Sequence, residues 1–150
     1  LGGPIGEAVR GVLAKERPYL GICLGLQVLF ASSEEAPGCT GLGIFDGEVK
    51  RLAGGVDTCT GGPLKVPHVG WNVVEPAASN AGLLAGTPEH YYFVHSYAVF
   101  PSDRSLAAGT TDYGGPFVSA VARGNVFACQ FHPEKSQRAG LALLGRFLAS

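Results

Sequence analysis

The stretch Tyr19-Leu20-Gly21-Ile22-Cys23-Leu24-Gly25-Leu26-Gln27 decides the fold. Its first four residues form a short apolar run of strand type, and Leu26, Leu29 and Phe30 then recur at helical spacing. The chain is therefore expected to pass from a buried strand into a helix over residues 24–31 through one sharp turn. A glycine two before and two after a cysteine at such a junction is the pattern of a nucleophile elbow, with sulfur in place of the serine oxygen. The turn brings neighbouring backbone so close that side chains at either glycine are expected to collide. Cys23 is expected to project from the helix N-terminus, where unpaired N–H groups favour a thiolate. For the pentapeptide alone, a small buried cysteine between packing glycines remains an equal reading.

Upstream, Ile5, Ala8, Val9, Val12 and Leu13 share one helical face, which predicts a helix over 5–15, ending before Pro18. Downstream of Ser32 the chain turns loop-like, and glycines punctuate short apolar pieces. Two or more short strands are expected between residues 43 and 74, with 53–63 an exposed hairpin tip or loop. Residues 91–100, 118–122 and 125–131 read as strands. A last helix follows Ser136, with Leu141, Leu144, Phe147 and Leu148 as its apolar stripe. Strands alternating with helices at both ends predict an α/β fold, a three-layer sandwich with a central mixed sheet, in one domain over 1–150.

A nucleophilic thiol needs a base, and the base needs an orienting acceptor. Gln130-Phe131-His132-Pro133-Glu134, at the end of a predicted strand, supplies both types. Pro133 disfavours helical geometry at His132, so the chain is expected to be extended there. Residues two apart then point to the same side, which lets Glu134 hold one imidazole nitrogen while the other faces Cys23. A surface turn with a solvated glutamate is the alternative. His90 lies in a polar stretch, and His68 and His95 lie at strand ends without a carboxylate two residues away, so His132 is the stronger base.

The 150 residues suffice to bury a core around a pocket. Eleven Lys and Arg against twelve Asp and Glu give a net charge of −1 without a basic run, which argues against nucleic acid or anionic membrane as partners. No apolar run approaches the roughly 20 residues of a membrane span, and no signal-peptide pattern is present, so a cytoplasmic location is expected. The cysteines at 23, 39, 59 and 129 have no close pair and read as independent thiols in a reducing compartment. No metal-ligand spacing and no phosphate-binding glycine loop occurs, so neither metal nor cofactor is expected. Methionine is absent, including from position 1, which points to a fragment.

With Gly-Ile-Cys-Leu-Gly-Leu-Gln at 21–27 and Gln-Phe-His-Pro-Glu-Lys-Ser at 130–136, the chain resembles the class I, triad-type glutamine amidotransferases. Lys-Val-Pro-His-Val-Gly-Trp-Asn at 65–72, Tyr-Phe-Val-His-Ser-Tyr at 92–97 and Thr-Thr-Asp-Tyr-Gly-Gly at 110–115 look like the glutaminase subunits of imidazole glycerol phosphate synthase, from histidine biosynthesis. The resemblance implies that Cys23 attacks the side-chain carboxamide of glutamine, that His132 protonates the departing ammonia and later activates water, and that Glu134 orients His132. It further implies that Gln27 and Glu35 hold the amino-acid end of glutamine, that Ser96 and Tyr97 line the pocket, and that the Leu24 N–H faces the oxyanion. Gln27, four residues after Cys23, would share its helix face. The implied partner is a (βα)8-barrel cyclase in a heterodimer, making imidazole glycerol phosphate and an aminoimidazole carboxamide ribotide from the delivered ammonia. His68, Trp71, Asn72, Tyr92 and Lys135 become interface or gating residues by motif position.

Members of that family begin with strands and a Pro-Gly-x-Gly segment that completes the oxyanion hole, whereas this chain opens at Leu1-Gly2-Gly3-Pro4 directly into a helix. Those residues stand too close to Cys23 to be that segment, so an N-terminally truncated version of the fold is expected. Two other functions stay open at this level. One is a partner-binding, poorly active glutaminase fragment, and the other is a different triad amidotransferase or a γ-glutamyl hydrolase.

Overall fold

In the computed structural model, which describes residues 3–56 and 60–150, helix α1 (Pro4–Ala14) precedes strand β1 (Tyr19–Ile22), helix α2 (Leu24–Gln27) and strand β2 (Phe30–Ser33). There follow β3 (Phe45–Arg51), β4 (Gly55–Val56), β5 (Pro63–Leu64), β6 (His68–Pro76), β7 (Glu89–His95) and β8 (Tyr97–Pro101). The chain ends with β9 (Ala107–Asp112), β10 (Pro116–Arg123), β11 (Val126–Cys129) and α3 (Gln137–Leu148).

β10 is the axis of a mixed sheet. One side carries β9, then the β6–β7 ribbon; the other carries β8 near Val118 and β11 from Ala120 onward. β1 lies parallel to β11, from Tyr19 opposite Val126 to Ile22 opposite Cys129. Alternation along β11 shows the layering, because successive side chains leave a strand on opposite faces. Phe127 and Cys129 join a core with Tyr91, Phe93, Phe131 and Leu143 of α3. Val126 and Ala128 join a second core with Leu26, Leu29 and Phe30, against which Val9 and Leu13 of α1 pack. Helices thus cover both faces, the three-layer α/β arrangement that the sequence predicts. Among the described residues, no helix is long and apolar enough to cross a membrane.

Four expectations are corrected. The second helix stops at Gln27 instead of continuing to residue 31, because the sheet takes its backbone. The carbonyls of Val28, Leu29 and Ala31 accept from Leu42, Ile44 and Gly41, and Phe30 pairs with Phe45 in parallel. Gly41 permits this approach, since a β-carbon there would lie 1.9 Å from the Phe30 carbonyl oxygen. The strand over 91–100 is two strands broken at Ser96, and β9 has no counterpart in the sequence reading. In α3, Leu143 is buried while Leu141 and Leu148 are 68% and 83% exposed. A β-carbon at Gly140 would lie 1.8 Å from the Pro133 carbonyl, so that close approach turns the Gly140 and Leu143 side of α3 inward. In the 53–63 segment, β4 and β5 pair as a small hairpin, and residues 57–59, Cys59 among them, lie outside the described residues.

Candidate active site

The elbow forms where β1 ends. A β-carbon at Gly21 would meet the Gly25 carbonyl oxygen at 2.5 Å, so only glycine fits. The collision expected at Gly25 is absent, because a β-carbon there meets nothing closer than the Tyr19 hydroxyl at 3.7 Å. Cys23 itself holds φ 52° and ψ −105°, a left-handed backbone rare for a side-chain-bearing residue and costing about 1–3 kcal/mol. Its N–H donates to the Cys129 carbonyl at 2.8 Å, which pins the elbow to the end of β11. β1 and β11 are parallel, so Cys23 and the residues following Cys129 emerge together at their carboxyl ends, where open α/β sheets place ligands.

His132 follows on that same end. Its N–H donates to Tyr92, and Ser136 Oγ donates to the His132 carbonyl at 2.6 Å while accepting from Tyr92 N–H at 2.9 Å. His132 is extended, at φ −104° and ψ 94°, but Pro133–Lys135 form a 3₁₀ turn. The extended-chain geometry expected for Glu134 is therefore corrected: proline's fixed φ starts a helical turn readily, and Glu134 comes back to His132 from that turn. His132 Nδ1 lies 2.7 Å from Glu134 Oε1. A carboxylate only accepts, so Nδ1 carries a proton, and it is Nε2 that presents a lone pair in the neutral ring. Among the described residues, Nε2 of His132 is the buried side-chain polar atom left without a partner.

Cys23 lies in a cleft of about 300 Å³ together with Leu24, Gln27, Glu35, Ser96 and Tyr97. Pro67, Val94 and His95 also line it; the sequence reading did not single them out for the pocket. Burial pushes the Cys23 thiol above its ordinary pKa, and Glu35 and Glu134 push the same way. The Leu24 N–H and the Gln130 carboxamide pull against them without prevailing. The expected resting thiolate is thus corrected to a thiol, since a four-residue α2 supplies little dipole. Both amide hydrogens of Gln27 are engaged, on the Tyr97 carbonyl at 3.1 Å and Gln130 Oε1 at 2.9 Å.

The residues given interface roles divide by face of the β6–β7 ribbon. His68 is not at the surface: it is 3% exposed, stacked on Tyr113 and Phe93 with centroids 3.9 and 4.8 Å away. Strand alternation puts it on the core face while Trp71 points out. Trp71 is 46% exposed and meets half-buried Tyr92 edge to face at 6.0 Å; Lys135 is exposed. Asn72 Nδ2 donates to the Asp112 carbonyl at 2.9 Å and approaches His68 Nε2 at 3.4 Å. His68 Nδ1 lies 3.0 Å from His95 Nε2, and His95 Nδ1 lies 2.8 Å from the Tyr97 carbonyl. That carbonyl can only accept, so His95 carries its proton on Nδ1 and His68 must donate to it. Burial lowers both pKa values to about 4, against the bond to the Tyr97 carbonyl in His95, and repulsion between protonated neighbours, His95 for His68 and His132 for His95, works the same way as burial. No group of three or more metal-ligating side chains occurs among the described residues.

The parallel pair, the cysteine elbow and the His-Glu pair define a class of protein, and comparison agrees: residues 4–149 match the family model for glutamine amidotransferase class-I, and the chain belongs to that family. It is similar to proteins named imidazole glycerol phosphate synthase subunit HisH. The one from Methylococcus capsulatus is 53% identical over 137 residues, covering 90% of this chain and 63% of that protein. The one from Moorella thermoacetica is 48% identical over 143 residues, covering 93% and 63%. The chain thus spans about 63% of the length of these relatives. In fold it is similar to a glutamine amidotransferase from Thermotoga maritima, with TM-score 0.59 at 21% identity over 96% of this chain and 52% of that one. A second glutamine amidotransferase structure gives TM-score 0.64 at 20% identity, covering 97% and 67%.

Proposed function

We propose that this chain is a glutaminase that releases ammonia from glutamine for imidazole glycerol phosphate synthesis, with Cys23 as nucleophile, His132 as base and Glu134 as its orienter. The observation that carries the reading is the polarity of His132. Glu134 fixes the proton on Nδ1, which leaves the buried Nε2 lone pair unpartnered on a residue three after the end of β11, the strand parallel to the one that ends just before Cys23. Leaving such a group unsatisfied costs about 1–3 kcal/mol, a penalty relieved when Nε2 accepts the thiol proton.

Because the thiol is protonated at rest, attack and proton transfer go together. Cys23 Sγ bonds to the carboxamide carbon as its proton passes to His132 Nε2, and the C=O π pair moves onto oxygen. The Leu24 N–H donates toward that oxygen. Collapse breaks the C–N bond, and the leaving nitrogen takes the proton from His132 and departs as ammonia. Water, deprotonated by His132, then cleaves the thioester to glutamate and restores the thiol. Gln27, Glu35, Ser96 and Tyr97 line the cleft that receives the substrate, the Gln27 amide hydrogens being already engaged on Tyr97 and Gln130.

Ammonia is a nucleophile only while unprotonated, so it has to pass directly to its acceptor. The partner proposed for this is a (βα)8-barrel cyclase, docked in the cytoplasm on the face bearing Trp71, Tyr92 and Lys135; Asn72 lies on the other face of the ribbon with His68 and is left out of it. The half-exposed Trp71 and the exposed valines Val69 and Val94 beside it support that face. The test is glutamate and ammonia production from glutamine with and without the cyclase. Cys23→Ala is expected to abolish both, and turnover equal to the parent's in that variant would sink the proposal.

A further inference from the structure

Behind the nucleophile two glutamine side chains are joined in one directed line. We propose that the Gln130 carboxamide is the donor that holds the Cys23 sulfur and stabilises it as its proton leaves, with Gln27 as the positioning residue that fixes which end of that carboxamide faces the sulfur. The inference rests on Cys23 being the nucleophile of the proposed reaction.

The direction of the line follows from its anchor. A backbone carbonyl can only accept, so the Gln27 atom 3.1 Å from the Tyr97 oxygen is Nε2. The same nitrogen is 2.9 Å from Gln130, whose facing atom must then be Oε1. What remains of the Gln130 amide is Nε2, 3.5 Å from Cys23 Sγ. Turning either amide over sets like against like at a buried contact. The anchor is held from a second direction, because His95 Nδ1 also donates to the Tyr97 carbonyl, at 2.8 Å. The start of the line is fixed too: Gln130 is fully buried, and its backbone N–H donates to Ser119 at 2.8 Å.

A donor aimed at sulfur does little for a neutral thiol and much more for an anion, since hydrogen bonds to ionised acceptors are about twice as strong. The contact therefore tightens as the proton passes to His132, when burial most disfavours the charge. Gln130 opposes the upward push that burial gives the thiol. A buried amide that merely fills and satisfies the core would not influence how Cys23 titrates, and that separates the two roles.

The test is the pH profile of Cys23 alkylation by iodoacetamide in the full chain, read at the Cys23 peptide by mass so that the other thiols do not contribute. Gln130→Met is expected to move the profile to higher pH and slow alkylation at neutral pH about tenfold. Gln27→Met, which removes nothing that touches sulfur, is expected to move it the same way by less. An unchanged profile in a folded Gln130→Met protein overturns the proposal. Should that variant fail to fold, the parent protein decides: its Gln130 side-chain amide proton resonances must shift with the same midpoint as Cys23 alkylation, and resonances that stay still overturn it. These readouts need no turnover. Glutamine hydrolysis surviving in Cys23→Ala would remove Cys23 as the nucleophile, whereas the alkylation profile alone decides whether Gln130 holds the sulfur.

Discussion

A methyl group added at Gly21 would lie 2.5 Å from the Gly25 carbonyl oxygen and 2.8 Å from the Ala128 β-carbon, and backbone cannot yield there without moving the elbow. Gly21→Ala is accordingly expected to lower the free energy of unfolding by about 1–3 kcal/mol or more, the range for overpacking. At Gly25 the same methyl meets only a hydroxyl at 3.7 Å, on ordinary helical backbone. Gly25→Ala is expected to stabilise by about 0.4–1 kcal/mol through the unfolded chain. Urea denaturation of the two variants measures both, and equal effects would mean the elbow is not as tight as drawn. Glu134 acts on chemistry instead. It reaches His132 Nδ1 but does not line the cleft. In Glu134→Gln the amide can offer N–H to Nδ1 and drive the imidazole proton onto Nε2, the wrong nitrogen for a base. We expect kcat for glutamine to fall on the order of 10²- to 10⁴-fold with KM little changed, in steady-state assays.

The β6–β7 ribbon shows what an element adds to its residues. His68 pairs with His95 across it, on the buried face; the Tyr97 carbonyl sets the tautomer of His95, and His95 in turn sets that of His68. Both rings stay neutral down to about pH 4, while in the unfolded chain they protonate near pH 6.5. Between those values the unfolded state binds more protons, so stability contributed by the pair is present above pH 6.5 and is lost as pH falls toward 4. The loss is on the order of 3 kcal/mol per histidine. Urea midpoints measured across that window should fall steadily with acid; a flat profile would show that both rings protonate in the fold as readily as in the unfolded chain. This pair also marks the limit of what the sequence discloses. Motif spacing locates Cys23, His132 and Glu134, because their chemistry requires fixed residue types at a strand end, and alternating apolar runs locate most strands. Long-range pairing leaves no such local signature. β9 escapes notice because its Ala107-Ala108-Gly109-Thr110 start is small and unpatterned. The shortened α2 depends on carbonyls claimed by residues 41–45, and the Gln27–Gln130 contact joins positions 103 apart.

For the whole molecule, the outward face of the same ribbon is the feature that folding leaves unsatisfied. Val69 opposite Val94 and Trp71 opposite Tyr92 put two cross-strand pairs on one surface. The exposures of Val69, Trp71 and Val94 are 56%, 46% and 37%. Among the described residues no strand pairs beyond β7, so the surface lies at the sheet's edge, and Val94 also lines the cleft that holds Cys23. A partner seated there would cover apolar area and lie next to the place where ammonia is released. The two requirements of the proposed handover, exclusion of water and proximity, then fall on one surface. Trp71 carries the largest exposed ring of that surface and so should be its energetic centre. Trp71→Ala is expected to weaken binding to the barrel cyclase by about 2 kcal/mol, roughly 30-fold in Kd by titration calorimetry. Folding and the Cys23 alkylation profile should not change, because the ring is half in solvent already. Phe100→Ala, which removes an aromatic of similar exposure from β8, is the control and should leave affinity intact. If the two variants bind alike, the docking face lies elsewhere on the molecule, and the exposed ribbon needs another explanation.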